Sequence, residues 1–483
     1  MKLVDAFRFK NPTTITFTFI SPNGKSRIDR IYVQRKNEGF IQECKHLNFT
    51  FSDHQAVMLD LEGALEKTKK GNILWKLNTS TLYDPDFQNE LEIFISNAKQ
   101  KKKEYRNITH WWEREIKEKF KIMCTRYSKN KFKERNSKKN FYIKCLDQVK
   151  AEIDQGQNNF DDYYFIKNIL KNIYLKDEEG KKIRGKLNYF IGNETVSVAK
   201  LIKEKTNGEN RTITELEEND TGTKNPDVHQ TIFLFYERLY SLCNHNPVKR
   251  QEFLNNLSVR VSQDMNLDLV KKITEDEVWN AIETMPQNKS PGIDGLPVEF
   301  YKKIWPWLKE EITIMFNHIL DTEELSKTQT TGIITLLHKG GSRKILSNWR
   351  PISLLCSDYK ILAKILTLRL KKILPYIIGQ EQTGGLANRD ISQNLTTYRN
   401  VIEWFSSQDT YKGSNLREKG AAIVSMDFEK AYDMVDRTFL YEVLLKMGFS
   451  QIFIRNIKSL YESSFSKVYV NGEMGKKIDL KRG

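Results

Sequence analysis

The chain has 483 residues, with 78 Lys and Arg against 62 Asp and Glu, for a formal net charge of +16. Hydrophobic residues at 39% permit a real core, and the absence of any apolar run of about 18 residues excludes a classical spanning helix. Five scattered cysteines (Cys44, Cys124, Cys145, Cys243, Cys356) exclude a zinc knuckle or a disulfide framework, and the first residues show no targeting pattern. An intracellular protein of nucleus and/or cytoplasm, not secreted and with no membrane partner, is expected.

Residues 1–62 read as β-rich. Thr14 to Phe19 alternates with period two, which predicts a strand with Ile15, Phe17 and Phe19 on one face. Ser21-Pro22-Asn23-Gly24 is a turn, Ile28 to Val33 a second strand, and Ala56 to Leu61 a third. Residues 63–270 read as helical and polar. Between Lys99 and Lys144 there are 17 Lys and Arg against 5 Asp and Glu, a surplus of 12 that is most of the net charge. Such a block, interleaved with aromatics, points to a polyanion partner, with a solvated linker as the alternative. Trp112, Ile116, Phe120, Met123 and Tyr127 recur at helical spacing, so Trp111 and Trp112 are expected to pack and not to stack on bases. Gly208 to Asp227 reads as a loop, and Thr231 to Leu242 as a helix.

Residues 271–483 change character. Thr274 with Glu277 has the spacing of a capping box. Lys289 to Gly295 is a turn-rich loop. Ile333 to Leu337 is a strand, and the stripe from Leu362 to Leu374 a helix ending at Pro375. Ala421 to Met426 is expected to be a buried strand that delivers Asp427, Asp436 to cap the next helix, and Lys467 to Val470 with Asn471-Gly472 to open a hairpin. A carboxylate at a strand exit suits a hard divalent cation; capping the next turn is the alternative.

Asp427-Phe428-Glu429-Lys430-Ala431-Tyr432-Asp433 resembles the first palm motif of non-LTR reverse transcriptases. The resemblance implies that Asp427 and the Phe428 carbonyl bind metal and that Tyr432 sits under the sugar and disfavours a 2′-hydroxyl. Ile333 to Gly341 looks like the fingers strand whose lysine, here Lys339, approaches the incoming triphosphate. Asn348-Trp349-Arg350-Pro351-Ile352-Ser353 is similar to the segment whose arginine, here Arg350, contacts the same phosphates. Lys289 to Leu296 looks like the segment that begins the family's catalytic region, in which Asp294 either clamps a template backbone or shapes the turn. Gly379 to Gly385 continues the likeness, while Leu386-Ala387-Asn388-Arg389 departs from it.

At the front, Ser26-Arg27-Ile28-Asp29-Arg30-Ile31 and Ser52-Asp53-His54 look like the closing motifs of the apurinic-type endonuclease/exonuclease/phosphatase fold. There the histidine acts on the scissile phosphate and an aspartate orients it, so Asp29, Asp53 and His54 are the candidates. The two resemblances in this order resemble the polyprotein of a LINE-type non-LTR retrotransposon. They imply an α+β multidomain chain. Residues 1–62 would be the C-terminal end of an endonuclease β-sandwich, 63–270 a helical basic connector, and 271–483 right-hand polymerase fingers with a partial palm. The implied partners are an RNA template, a DNA primer or target and deoxynucleoside triphosphates, with two Mg²⁺ ions; the oligomeric state is left open. The family's second palm carboxylate pair, an aromatic-Ala-Asp-Asp turn, is absent between 434 and 483 and is expected after Gly483. The endonuclease front would precede Met1. The chain alone is therefore expected neither to nick DNA nor to polymerise. The alternatives are a non-enzymatic nucleic-acid-binding remnant and an intron-maturase-like reverse transcriptase.

Overall fold

The computed structural model describes residues 3–62, 74–184, 212–217, 224–225, 227–242, 246–386, 388–407 and 422–483. The architecture is mixed α/β. Two compact units share the chain: residues 1–70 with 125–210, and residues 71–124 with 211–483.

The first unit is built from small antiparallel pairs. Strand β1 (Leu3–Asp5) pairs with β4 (Tyr32–Gln34), β2 (Phe19–Ser21) with β3 (Gly24–Ser26), and β5 (Ile41–Leu47) with β6 (Ala56–Leu61). The Ser21 to Gly24 turn and strand β6 stand where the sequence puts them. The expected strand over Thr14 to Phe19 does not form: the ladder begins at Phe19, and Thr18 and Ile20 are buried while Ile15 is exposed. The parity is reversed because Thr18 is anchored through its backbone, with its N–H donating to Ser26 O at 3.0 Å and its carbonyl accepting from Gln55 N at 2.6 Å. The second expected strand begins later, at Tyr32. Strand β5, which supplies the partner of β6, was not foreseen.

Apart from the small ladder of β7 (Leu216–Glu217) with β8 (Lys224–Asn225), the second unit centres on a four-stranded sheet in which β10 (Trp349–Leu354), β9 (Thr331–His338), β11 (Phe465–Val470) and β12 (Glu473–Asp479) lie side by side in that order. Strands β9 (Thr331–His338) and β10 (Trp349–Leu354) form an antiparallel hairpin; β11 (Phe465–Val470) and β12 (Glu473–Asp479) form another; β9 and β11 run parallel. Asn471 and Gly472 both have positive φ (53° and 85°), the backbone of a two-residue hairpin turn. The helix Val228–Tyr240 lays Ile232, Tyr236 and Leu239 against Ile334, Val468, Val470 and Ile478 of this sheet. The small ladder of Leu216–Glu217 with Lys224–Asn225 lies within the segment expected to be a loop, whose other residues fall mostly outside the described ones.

Helix boundaries follow local chemistry. Thr274 and Glu277 close the expected capping box. Asp436 accepts from Phe439 N at 2.8 Å and caps Arg437–Lys446. The Leu362 stripe lies in Ser357–Lys371; Pro375 opens a separate short helix, Leu374–Ile377, because a proline without an N–H is at home in a first turn.

The strand expected over Ala421 to Met426 is corrected. Ala421 lies outside the described residues. Residues 422–428 have no regular structure and are exposed, Val424 at 75% and Met426 at 81%. An apolar run becomes a strand only against a ladder partner, and among the described residues no strand pairs with it.

The loop before the helix Val298–Thr322 is pressed into the second unit. A Cβ on Gly292 would lie 2.4 Å from Cys356 N, and one on Gly295, at φ +74°, 2.4 Å from Trp75 O. Gly292→Ala is expected to destabilise the protein by about 3 kcal/mol, since backbone cannot yield as a side-chain tip can. Urea unfolding checks this; a loss below about 0.5 kcal/mol would show that the loop is not held there.

Candidate functional site

Strand alternation and register decide where Lys339 and Arg350 stand. Leu337, paired with Arg350, lies on one side of the hairpin, and Lys339 two residues on lies on the same side. The other side carries His338 and Trp349, whose rings sit 5.0 Å apart, with Ile334 buried against the helix Val228–Tyr240. Lys339 and Arg350 are thus diagonal neighbours on the exposed side, near the hairpin tip. Lys339 N donates to Asn348 O at 2.9 Å, which closes the tip. The side chain of Asn348 donates to Ser342 O at 3.0 Å and holds the connecting loop.

The Asp427 segment is different in kind. Asp427 and Phe428 are exposed, Phe428 at 79%, and Tyr432 is 91% exposed. The far end of the motif is fixed instead. Tyr240 Oη donates to Asp433 Oδ1 at 3.0 Å, and burial together with that carboxylate pushes the Tyr240 phenol up. One carboxylate and one carbonyl do not make a two-ion cage, so the residues around Asp427 do not by themselves fit the pair of ions that the resemblance implies.

Asp294, Cys356 and Asp358 are the one described group whose ligand atoms converge closely enough to hold a metal ion. A cation is already there. Lys117 Nζ lies 2.5 Å from Asp358 and 3.1 Å from Asp294, with Lys117 at 2% side-chain exposure and Asp358 at 0%. An incoming ion would meet an ammonium at contact distance. Buried Asp294 cannot reach a template backbone, so it shapes the loop; Leu296 N donates to its Oδ1 at 3.1 Å. The sequence singled out Asp294 but not Lys117 or Asp358. A lysine inside a dense basic block carries no mark that it is the buried one.

In the first unit, His54 and Asp29 come together. His54 Nδ1 is 2.8 Å from Asp29 Oδ2, and Asp29 is held below the usual carboxylate range by that bond, with Thr18 adding to it. Thr18 Oγ1 accepts from Ile28 N and Asp29 N, at 3.1 Å each, and so sets the turn that presents Asp29. Asp53 does not join this pair. Its carboxylate accepts from Ser52 Oγ at 3.3 Å, while its backbone carbonyl accepts from Ile20 N. The aspartate that orients His54 is therefore Asp29, distant in sequence.

Residues 337–483 match the family model described as reverse transcriptase (RNA-dependent DNA polymerase). Over its whole length the chain is 29% identical to the Transposon TX1 uncharacterized 149 kDa protein of Xenopus laevis, of which it covers 36%. It is 24% identical to the Retrovirus-related Pol polyprotein from type-1 retrotransposable element R2 of Popillia japonica, over 44% of this chain and 28% of that one. It is 30% identical to the RNA-directed DNA polymerase from mobile element jockey of Drosophila melanogaster, over 20% of this chain and 11% of that one. The chain thus spans about a third of the TX1 protein. No described helix is long and apolar enough to cross a membrane. Lys339, Arg350 and the Asp427 motif all lie inside residues 337–483, so this part of the chain is similar to reverse transcriptases and the chain is similar to the proteins of retrotransposons such as TX1, R2 and jockey.

Proposed function

We propose that this chain carries the fingers and part of the palm of an RNA-directed DNA polymerase, one that copies an RNA template from a DNA primer at a nicked target. The observation that supports this most is the pairing of Lys339 and Arg350 on one exposed side of the β9–β10 hairpin. Two cations in that relation match the strongly negative triphosphate of a deoxynucleotide and its departing pyrophosphate. In this reading Asp427 and the Phe428 carbonyl supply ligands for Mg²⁺, the remaining ligands coming from elsewhere, and Tyr432 excludes a 2′-hydroxyl. The chain divides functionally into residues 1–62, an endonuclease-type β-sandwich end with Asp29, Asp53 and His54; 63–270, a basic connector; and 271–483, fingers and partial palm. The protein works inside the cell, in nucleus and/or cytoplasm.

The chain by itself is expected to give no template-dependent incorporation in a primer-extension assay with Mg²⁺. Incorporation that Asp427→Ala abolishes would overturn this. Binding of a fluorescent deoxynucleoside triphosphate tests the hairpin separately. The double variant Lys339→Ala with Arg350→Ala is expected to weaken it at least about tenfold, since each is a charge-assisted contact. An unchanged affinity would place the triphosphate elsewhere.

A second reading, nucleic-acid binding without catalysis, draws on the helix Lys119–Asp154. Lys129, Lys133 and Lys144 are exposed there, as are Phe132 and Phe141. The three lysines fall within about 60° of one another around the helix axis, one face able to follow a phosphate backbone. Salt-dependent RNA binding that survives deletion of residues 271–483 would favour it.

A further inference from the structure

We propose that Lys117 is a positioning residue, clasping both roots of the β9–β10 hairpin so that Lys339 and Arg350 are held in place at its tip. The inference rests on the polymerase reading for what the tip binds. The clasp itself is visible independently. The chain enters β9 through Thr328 and Gln329 and leaves β10 through Cys356 and Asp358. Lys117 Nζ donates to Thr328 Oγ1 at 2.8 Å on the entering side and lies 2.5 Å from Asp358 Oδ2 on the leaving side. The two roots are also bonded to each other. Gln329 Nε2 donates to Asp358 Oδ2 at 3.1 Å, and Cys356 Sγ to Thr328 O at 3.2 Å. Thr328 Oγ1 in turn donates to Glu113 Oε2 at 2.7 Å.

The segment that supplies the clasp has an unusual backbone. Trp112–Glu118 is a π-helix. In an α-helix residues five apart differ by about 140° around the axis and face apart. In a π-turn they come onto one side. Trp112 and Lys117 are five apart, and both reach the same oxygen: Trp112 Nε1 donates to Asp358 Oδ2 at 3.2 Å. The widened turn is what lets one short segment grip one carboxylate twice.

The clasp has mechanical leverage. Strand β11 holds β9 only as far as Thr335, and among the described strands β10 lies at the sheet edge and pairs with β9 alone. From Thr331 to Lys339 the strand runs about 26 Å, so each degree of tilt at the root moves the tip by about 0.5 Å. Misplacing a phosphate contact by about 1 Å is enough to cost a large factor in rate. Charge makes the clasp dependent on Lys117 in particular. Glu113, Asp294 and Asp358 all face it, and burial with their repulsion pushes Asp358 up while they hold Lys117 charged. Lys360 also feels Asp358, but among the described residues Lys117 is the cation in ion-pair contact with it.

The test uses the full chain with Lys117→Met and Lys117→Arg. It reads hydrogen exchange of peptides from 331–339 and 349–354 against peptides from the helix 298–322, alongside triphosphate binding. Lys117→Met is expected to speed exchange in the hairpin about tenfold, to leave the helix within about twofold, and to weaken triphosphate binding at least about threefold, in the same direction as the Lys339→Ala with Arg350→Ala double variant. Lys117→Arg is expected to restore both to within about threefold of the parent. Exchange that rises equally throughout the second unit, or a hairpin that does not change, overturns the proposal. Should Lys117→Met fail to fold, Thr328→Val cuts the bond to the β9 root while keeping every charge. It is expected to speed hairpin exchange by about threefold, and unchanged exchange there refutes the clasp. A parent chain that binds no triphosphate refutes the polymerase reading and leaves the exchange result to decide the clasp.

Discussion

Trp112→Ala is expected to destabilise the second unit by about 3–5 kcal/mol, the range for removing a buried tryptophan. Trp112 is fully buried between Trp111 and Tyr301, with ring centroids 6.3 Å and 6.2 Å away. Its loss leaves a cavity beside the Lys117 cluster that fixed backbone cannot fill. Trp112→Phe is the milder change. It keeps a six-membered ring and loses the remaining indole atoms together with the N–H that donates to Asp358. Asp358 Oδ2 retains Lys117 and Gln329, so the cost is expected to be about 1–2 kcal/mol. Denaturant unfolding of both variants checks the pair. If Trp112→Ala costs less than about 1 kcal/mol, the tryptophan does not occupy the core as described.

Arg369→Ala is expected to cost a comparable amount, about 3–5 kcal/mol, by a different route. Arg369 is buried and makes a two-pronged bond to Glu277, at 2.7 Å to each oxygen. It also donates to Leu269 O, Lys271 O and Lys272 O at the end of the helix Gln263–Val270, carbonyls that the helix cannot satisfy itself. Arg369→Lys keeps the charge but not the fork, so it is expected to recover less than half of the loss. The pair has a pH signature. Burial pushes the Glu277 carboxyl up, but Arg369 and the Thr274 N–H outweigh it and leave it below its ordinary 4.5. An acid lowered in the folded state stabilises above its unfolded pKa, and that contribution drains away as pH falls through the folded value. The parent should therefore lose stability from about pH 4.5 downward more steeply than Arg369→Ala. Parallel slopes for the two proteins would sink the assignment.

What could be read from sequence was what a few neighbouring residues decide among themselves. Thr274 with Glu277, Asp436 before its helix, and Asn471-Gly472 between two strands each carry their partner within a few positions, and each stands as expected. The spacing from Trp112 to Tyr127 likewise marked a buried helical face. The reading failed where the partner is remote. Alternation over Thr14 to Phe19 gave two equal choices of face, and bonds from Ser26 and Gln55 selected the other one. The apolar run before Asp427 looked like a strand because β-branched residues favour one, yet no ladder meets it among the described residues. At the candidate site, Lys339 and Arg350 were named from their motifs, and the register added that they share a side. Asp29 was named beside Asp53, and only the fold could say which of them His54 bonds. Lys117 was hidden by its surroundings, and the π-turn that aims it has no sequence signal of its own.

The parallel pairing of β9 with β11 sets an order of events during synthesis. Thr331 must meet Phe465, about 130 residues further on. The β9–β10 hairpin closes over a short loop and can form as soon as it leaves the ribosome, but its long edge stays open until the later strand emerges. At about 5–20 residues per second that wait lasts roughly 7–25 s. Throughout it, the strand holding Ile333 and Ile334 offers unpaired backbone to any other chain. Nascent chains on neighbouring ribosomes of one message are the most concentrated source of such edges. Production of this protein is therefore expected to favour slow initiation or chaperone cover of that segment.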